Sequence, residues 1–273
     1  MAYVSWPAMM GIEDAGNTEV FLARGLFESA QDLDCRFYSK ERPHLVTDIL
    51  HRCLRPSDHE AYDPDELWAW TLPKRLQGLL AVAIASGQSS VETVERCLLC
   101  NEDAELGLEL SSFMNASLDN ILMIEPEPGV CLEVEVPTGR HQLDWLLTEV
   151  VQADEDNGLA MAATLIKKIN GEAPNKHWQM PAHWLDKTSM VLEEHDTLNG
   201  LNLPISCPSC SQTMQVELDL EKLLLIKLVS QQKALLEEVF YLAKAYHWTE
   251  TEIFRLPAWR RSFYVRRYKL EMQ

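Results

Sequence analysis

Two cysteine pairs with the same spacing constrain the fold of this 273-residue chain more than any other feature. The first C-x-x-C motif contains Cys97 and Cys100, and the second contains Cys207 and Cys210. The ten residues after each motif align without a gap. In both copies their apolar side chains alternate with polar ones, at Leu106, Leu108 and Leu110 and at Val216, Leu218 and Leu220. This alternation predicts a β-strand leaving each motif.

Four cysteines in two such motifs form a common ligand set for one tetrahedral zinc ion. We therefore predict a structural zinc site, with the chain between the motifs closed as a loop. The ligands are Cys97, Cys100, Cys207 and Cys210. A duplicated hairpin with unliganded cysteines stays open as an alternative. A redox dithiol is less favoured, because neither pair begins a helix after a strand.

The other three cysteines, Cys35, Cys53 and Cys131, are widely spaced in the sequence. We expect them to be buried as small hydrophobic residues. An odd total of seven cysteines indicates a reducing compartment with metal-bound or free thiols.

Composition limits the function classes. Hydrophobic residues make up 47% of the chain, which predicts a globular protein. A formal net charge of −18 argues against non-specific nucleic-acid binding, which needs a basic surface. No signal peptide is recognisable, and no apolar run approaches the roughly 20 residues of a transmembrane helix. We expect a cytosolic protein without a membrane partner.

We predict an α+β fold that is mostly helical. It contains small antiparallel hairpins built on two zinc-ribbon-like knuckles, and it ends with a long C-terminal helix. We predict an irregular, partly helical segment at 1–72 and a knuckle domain at 73–220 with a helical insert at about 140–200. The long helix and short basic-aromatic helices occupy 221–273. Expected helices include Thr18–Ala30, Leu45–Cys53, Gln142–Val151, Leu159–Ile169, Trp184–Leu198, Glu221–His247 and Ala258–Met272, and an expected hairpin joins Ile121–Ile124 to Val130–Val136.

Helix-terminus signals support the C-terminal part of this prediction. Thr249 and Glu252 have the spacing of a capping box. Pro257 stands where a proline is tolerated, at the first turn of the last helix.

The last predicted helix is basic and aromatic, unlike the rest of this acidic chain. Arginines and aromatic residues are favoured anchors in protein interfaces, so we expect this segment to dock on an acidic protein surface. Nucleic-acid binding and a merely solvated helix are the less favoured alternatives. The candidate partner-binding residues are Trp259, Arg260, Arg261, Phe263, Tyr264, Arg266, Arg267 and Tyr268.

No catalytic pattern is recognisable. The eight histidines are scattered without ligand spacing, and the chain lacks a Gly-rich phosphate loop, a G-x-S-x-G elbow and an H-E-x-x-H motif. Acidic pairs such as Glu193-Glu194 are expected to be solvated. We therefore expect a protein that is not an enzyme and has no small-molecule substrate.

The C-terminal third resembles a known family. Residues 239–257 read V-F-Y-L-A-K-A-Y-H-W-T-E-T-E-I-F-R-L-P and precede Trp259-Arg260-Arg261. This segment resembles the baseplate hub or hub-assembly proteins of T-even-like contractile phage tails, and their relatives in contractile injection systems and phage-like particles. Val134–Trp145 resembles the strand-Pro-x-Gly-Arg piece of that family. The resemblance covers roughly 73–273.

The resemblance implies a non-enzymatic structural or assembly role at the tail tip. It implies hub, spike and wedge proteins as partners, and a location in the bacterial host cytoplasm during assembly or in the baseplate of the finished particle. One departure concerns the knuckles: Ser211 and Gln212 follow the second motif, where a zinc knuckle often carries a glycine after its second cysteine. The first motif has Asn101 there, which tolerates the left-handed conformation better than most residues.

Two other function classes stay open. A zinc-ribbon adaptor in transcription or RNA metabolism would need basic residues around the knuckles, but acidic residues such as Glu102, Glu105 and Glu217 occupy these strands. A metal-dependent hydrolase would need an open ligand position beside a carboxylate or histidine, and the sequence shows neither.

Overall fold

The structure is a computed structural model that describes residues 3–6, 21–38, 41–56, 61–113, 119–147 and 155–271. Its helices are α1 (Arg42–Cys53), α2 (Pro64–Ala69), α3 (Leu72–Ala85), α4 (Gly139–Leu147), α5 (Glu155–Leu165), α6 (Leu185–His195), α7 (Leu220–Tyr246), α8 (Glu250–Arg255) and α9 (Ala258–Glu271). Its strands are β1 (Val4–Trp6), β2 (Phe21–Ala23), β3 (Leu54–Arg55), β4 (Ser90–Arg96), β5 (Asp103–Glu109), β6 (Ile121–Ile124), β7 (Leu132–Glu135), β8 (Ile166–Ile169), β9 (Leu201–Ser206) and β10 (Thr213–Leu218). The mixture of helices with antiparallel sheets confirms the α+β class.

The two cysteine motifs lie at the turns of two antiparallel hairpins, β4–β5 and β9–β10. The registers of the hairpins correspond: Arg96 pairs with Asp103, and Ser206 pairs with Thr213. The apolar residues of β5 and β10 point inward and alternate with exposed, mostly acidic residues. The duplicated sequence therefore forms a duplicated structure.

The inner faces of both hairpins pack into one large hydrophobic core. This core contains Leu50 of α1, Leu79 of α3, Val91 of β4, Leu218 of β10 and Leu224 of α7. Burial of leucine and valine side chains stabilises a fold by about 1.5–3 kcal/mol each. Residues from all three predicted segments thus share a core, while the division at 72 and 220 stays a prediction.

The chain between the hairpins builds a second core from β6, β7, β8, α5 and α6. Val134, Leu165 and Trp184 are buried there. Two backbone hydrogen bonds connect this insert to the main core: Leu72 N–H donates to the Pro137 carbonyl at 2.8 Å, and Gly139 N–H donates to the Trp70 carbonyl at 3.1 Å. The insert is therefore tied to the start of α3 as well as to the hairpins.

The C-terminal helices form a third core around Val239, Leu242, Ile253 and Val265. The predicted long helix is confirmed as the 27-residue α7. The predicted capping box is confirmed too, since the Thr249 hydroxyl accepts from Glu252 N–H and the Glu252 carboxylate accepts from Thr249 N–H. Packing against α7 and the capped helix α8 therefore positions α9.

Two predicted helices are partly wrong. Within Thr18–Ala30, residues 21–23 form β2, which pairs with β1 and β3; positions 18–20 lie outside the described residues. Within Leu159–Ile169, the helix ends at Leu165, and β8 follows and pairs with β7. In both places a short apolar run predicts a helix as readily as a strand. Pairing with strands that are distant in the sequence makes it a strand in the structure.

The other predicted boundaries shift only slightly. Helix α4 begins at Gly139 instead of Gln142, and α6 ends at His195 instead of Leu198. Positions 148–151 and 272 of the predicted helices lie outside the described residues.

A buried ion pair holds the chain that follows β2. Arg24 Nη2 lies 2.9 Å from Asp32 Oδ1, and the two side chains are only 6% and 3% exposed. Burial opposes ionisation of the Asp32 carboxyl, but the hydrogen bonds from Arg24 outweigh burial and hold its pKa below the ordinary value of 3.8. The pair therefore stabilises the fold above that pH, and the stabilisation is lost as pH falls through the lower, folded-state pKa.

We expect Asp32→Asn to lower the free energy of unfolding by about 3–5 kcal/mol, because it leaves the Arg24 charge buried without a counter-ion. Urea denaturation followed by circular dichroism measures this loss. The matched control is Asp103→Asn, which removes the exposed 3.2 Å pair with Arg96 and should cost about 1 kcal/mol or less. Equal losses in the two variants would contradict the stabilising role of the buried pair.

Candidate metal centre

Both cysteine motifs adopt the same turn. In the first, Cys97 N–H donates to the Glu102 carbonyl and Asn101 N–H donates to the Cys97 carbonyl, both at 2.9 Å. In the second, Cys207 N–H donates to the Gln212 carbonyl at 2.8 Å and Ser211 N–H donates to the Cys207 carbonyl at 2.9 Å. We call each of these turns, residues 97–102 and 207–212, a knuckle. The backbone of Cys97 and that of Cys207 are thereby held in the same way in the two turns.

Each knuckle contains one residue in the left-handed region of backbone space. Asn101 has φ of 59° and Ser211 has φ of 58°. Asparagine tolerates this conformation better than most residues, whereas a serine there is strained by its Cβ. The backbone conformation at position 211 therefore favours glycine, the residue that zinc knuckles often carry after their second cysteine.

The two knuckles bring all four cysteines together, as the sequence predicted. Their sulfur atoms all lie within 4.8 Å of one another. Cys97 Sγ is 3.7 Å from Cys210 Sγ, and Cys100 Sγ is 3.6 Å from Cys207 Sγ. All seven cysteines of the chain are free thiols in the structure.

The two distances of 3.7 and 3.6 Å match those of a tetrahedral thiolate site. Metal–sulfur bonds of about 2.3 Å at tetrahedral angles place the sulfur atoms about 3.8 Å apart. Among the described residues, the candidate ligand group consists of four cysteines, without histidine or carboxylate. The donor set therefore fits a metal ion that is fully surrounded by protein sulfur.

The surroundings of the four sulfur atoms favour one thiolate and oppose further ones. Donation from the Cys100 and Leu99 N–H groups lowers the pKa of the Cys97 thiol to about 6. The Glu102 N–H acts in the same direction on Cys100, but burial and the neighbouring thiols outweigh it and raise its pKa to about 12. The pKa of Cys210 is also raised, although the Gln212 N–H lowers it. Full ionisation thus calls for a bound cation, whose arrival would release protons.

The cysteines outside the cluster follow the expectation in two cases of three. Cys35 and Cys53 are buried, and burial raises the pKa of Cys53 to about 12. The expectation for Cys131 is wrong, because this residue is exposed. It lies just before β7, where the inward positions of the sheet begin only at Leu132.

The predicted partner-binding residues divide between two faces of α9. Arg261 points inward and donates to Glu238 Oε2 of α7 at 3.0 Å, and the rings of Tyr264 and Tyr268 pack in tilted contacts against Tyr246 and Tyr241 of α7. The other members face solvent: Trp259, Arg260, Phe263, Arg266 and Arg267. The outward group is the part that remains available to a partner.

Sequence reasoning missed two exposed residues at the candidate site. Leu98 and Leu99 form the tip of the first knuckle and project into solvent. The signal was present in the sequence, because the corresponding residues of the second knuckle are Pro208 and Ser209. The aligned motifs differ most at these two positions, which indicates that the turn does not need the leucines.

Comparison with protein-family models, curated proteins and solved structures finds no match to this chain. None of the described helices is long and apolar enough to cross a lipid bilayer.

We expect Ser211→Gly to raise the free energy of unfolding by about 0.5–1 kcal/mol, since glycine removes the left-handed strain but adds unfolded-state entropy. Denaturant unfolding of the metal-loaded protein measures the change. The matched control is Ser209→Gly in the same knuckle, which has no positive φ and should be neutral or destabilising. The strain argument fails if the two glycines have the same effect.

Proposed function

We propose that the four-cysteine cluster binds one zinc ion and that this ion fastens the two hairpins together as a zinc-ribbon-like unit. The observation that carries this proposal is the approach of four sulfur atoms from two matched knuckles to within 4.8 Å of one another, with two pairs at 3.6 and 3.7 Å. Zinc is favoured because closed, all-cysteine tetrahedral sites are typical of structural zinc.

The role we propose for this site is structural. A closed thiolate site has no open position for a substrate or an activated water molecule. Binding would instead join positions that are 107 and 113 residues apart in the chain, so metal binding free energy becomes folding free energy. The knuckle residues would hold the two hairpins together, and we assign no catalytic step to them.

We further propose that the protein is a non-enzymatic structural or assembly component of a contractile tail baseplate hub, or of a related injection system. The support is the resemblance of the C-terminal third, together with the exposed basic-aromatic face that α9 presents. The proposed partners are other baseplate, hub and spike proteins, met in the host cytoplasm during assembly.

The acidic outer surface of the hairpins disfavours the alternative role as an adaptor on nucleic acid. Glu92, Asp103, Glu105 and Glu109 are exposed on the first hairpin, and Glu217 is exposed on the second. These carboxylates would repel phosphates at the place where a nucleic-acid-binding zinc ribbon needs cations.

Purified protein should contain about one zinc per chain, and a strong chelator should lower its Tm by about 10 °C or more. Cys100→Ser and Cys210→Ser should each reduce the zinc content and give a low Tm without chelator. The matched control is Cys131→Ser, which removes an exposed cysteine outside the cluster and should change neither quantity. Full stability of a metal-free wild type would refute the structural zinc.

The assembly role is tested in the particle-producing host. Deleting the gene should stop the formation of complete baseplates, seen by electron microscopy of lysates, and wild-type protein supplied in trans should restore them. We expect Trp259→Ser with Phe263→Ser to fail to restore them, because this pair removes the outward aromatic side chains of α9. Met123→Ser changes an exposed apolar residue of the insert and serves as the control. Normal particles from the deletion strain would rule out the role.

A further inference from the structure

The two knuckles share a backbone but differ at their tips. Leu98 and Leu99 are 95% and 70% exposed at the first tip, whereas Pro208 and Ser209 stand at the second. The matched hydrogen bonds of the two turns show that the backbone does not require leucine there. Two large apolar side chains are therefore held in solvent on a rigid turn, where docking them would cost little conformational entropy.

The surface around the first tip is acidic. Glu102 is exposed beside the leucines, and Glu105 and Glu109 continue along the outer face of β5. On β4, Glu92, Val94 and Arg96 face the same way. Arg96 pairs with Asp103 at 3.2 Å and Lys227 Nζ lies 3.9 Å from Glu92 Oε2, but carboxylates outnumber cations on this face. A surface that covers this tip should therefore be apolar at its centre and basic at its edge.

The outer face of α9 has that character. Trp259, Phe263 and Leu270 are 71%, 54% and 67% exposed, and their spacing places them along one side of the helix. The flanking arginines Arg260, Arg266 and Arg267 are also exposed, and Arg267 pairs with Glu271 at 3.0 Å. Arg260 Nε donates to the Tyr264 hydroxyl at 3.1 Å and Arg266 Nε to the Ser262 carbonyl at 3.4 Å, so within the described chain neither charge is neutralised by a carboxylate.

The two surfaces belong to different parts of the molecule. The hairpins pack with the first half of α7, around Leu224 and Leu228, whereas α9 packs with its second half, around Val239 and Leu242. A helix of 27 residues is about 40 Å long, so one copy presents the two surfaces at separate places.

We infer that the first knuckle tip of one copy docks on the outer face of α9 of a second copy. The leucines would pack on the aromatic stripe, and the acidic hairpin would face the arginines. Because each copy offers one tip and one α9 face, the contact can close reciprocally as a two-fold dimer or continue head-to-tail as a larger ring or a chain. The inference rests on the docking role proposed for α9 and not on the baseplate assignment.

Sedimentation of the zinc-loaded full chain over a range of concentrations tests the inference. Wild-type protein should associate reversibly at low salt, and added salt should weaken the association because it screens the charges. Replacing the first tip by the second, with Leu98→Pro and Leu99→Ser, should weaken association at least about a hundredfold. The Leu98 N–H is not among the groups that donate to Cys97, so the zinc content should not change.

Two further variants control for misfolding of the proline variant and test whether α9 is the partner surface. Leu98→Ser with Leu99→Ser keeps both N–H groups and should have the same effect as the proline variant. Trp259→Ser with Phe263→Ser should also give monomers, while Met123→Ser, 62% exposed on β6, should associate as wild type does.

Mixing the tip variant with the α9 variant decides between modes of association. The tip variant retains an intact α9 face and the α9 variant retains an intact tip, so the mixture should form one-to-one dimers and nothing larger. Wild-type protein that stays monomeric at high concentration and low salt, or associates despite both pairs of substitutions, would overturn the inference. A monomeric wild type whose α9 variant still fails to restore baseplates would overturn self-association alone and leave the docking role standing.

Discussion

The approach of the two knuckles is the contact on which the rest of the structure depends. A two-stranded hairpin is at best marginally stable alone, and each of these hairpins has one apolar face that must be covered. Both faces are covered by the same core, and their turns meet at four sulfur atoms. The proposed zinc would convert this meeting point into a covalent-like tie that closes the whole segment between the motifs, including the insert with its separate core.

Helix α7 connects the core that contains the hairpins to the core formed with α8 and α9. Its N-terminus is fixed by the Asp219 cap, which accepts from Lys222 N–H, and by Arg42 of α1, which pairs with Asp219 and Glu221. Its second half packs with α8 and α9, and Glu238 receives hydrogen bonds from both Arg261 and Ser262. One continuous helix therefore sets the distance between the cysteine cluster and the basic-aromatic face, without a flexible linker.

The sequence predicted those features that depend on neighbouring residues. Knuckle spacing, strand alternation and the Thr249 capping box each occupy fewer than about a dozen residues and have a direct physical reading. The matched motifs also predicted the meeting of the four cysteines. Strands β2 and β8 were missed because their pairing partners lie far along the chain, and periodicity cannot distinguish a short apolar strand from a helix. The Arg24–Asp32 pair was missed for a related reason, since burial of a charge is decided by tertiary packing.

Comparison of the two knuckles distinguishes the features that position the sulfur atoms from the residues that can vary. Both copies keep the cysteine spacing, the two backbone hydrogen bonds and a residue at positive φ, because the sulfur positions depend on all three. The two residues between the cysteines point away from the cluster and differ completely, apolar in one copy and small or polar in the other. Exposed leucines contribute nothing to the turn and carry a solvation cost that burial in the core would have removed. The first tip is therefore best understood as a surface shaped for a contact outside its own chain, on a turn that the proposed zinc would hold in place.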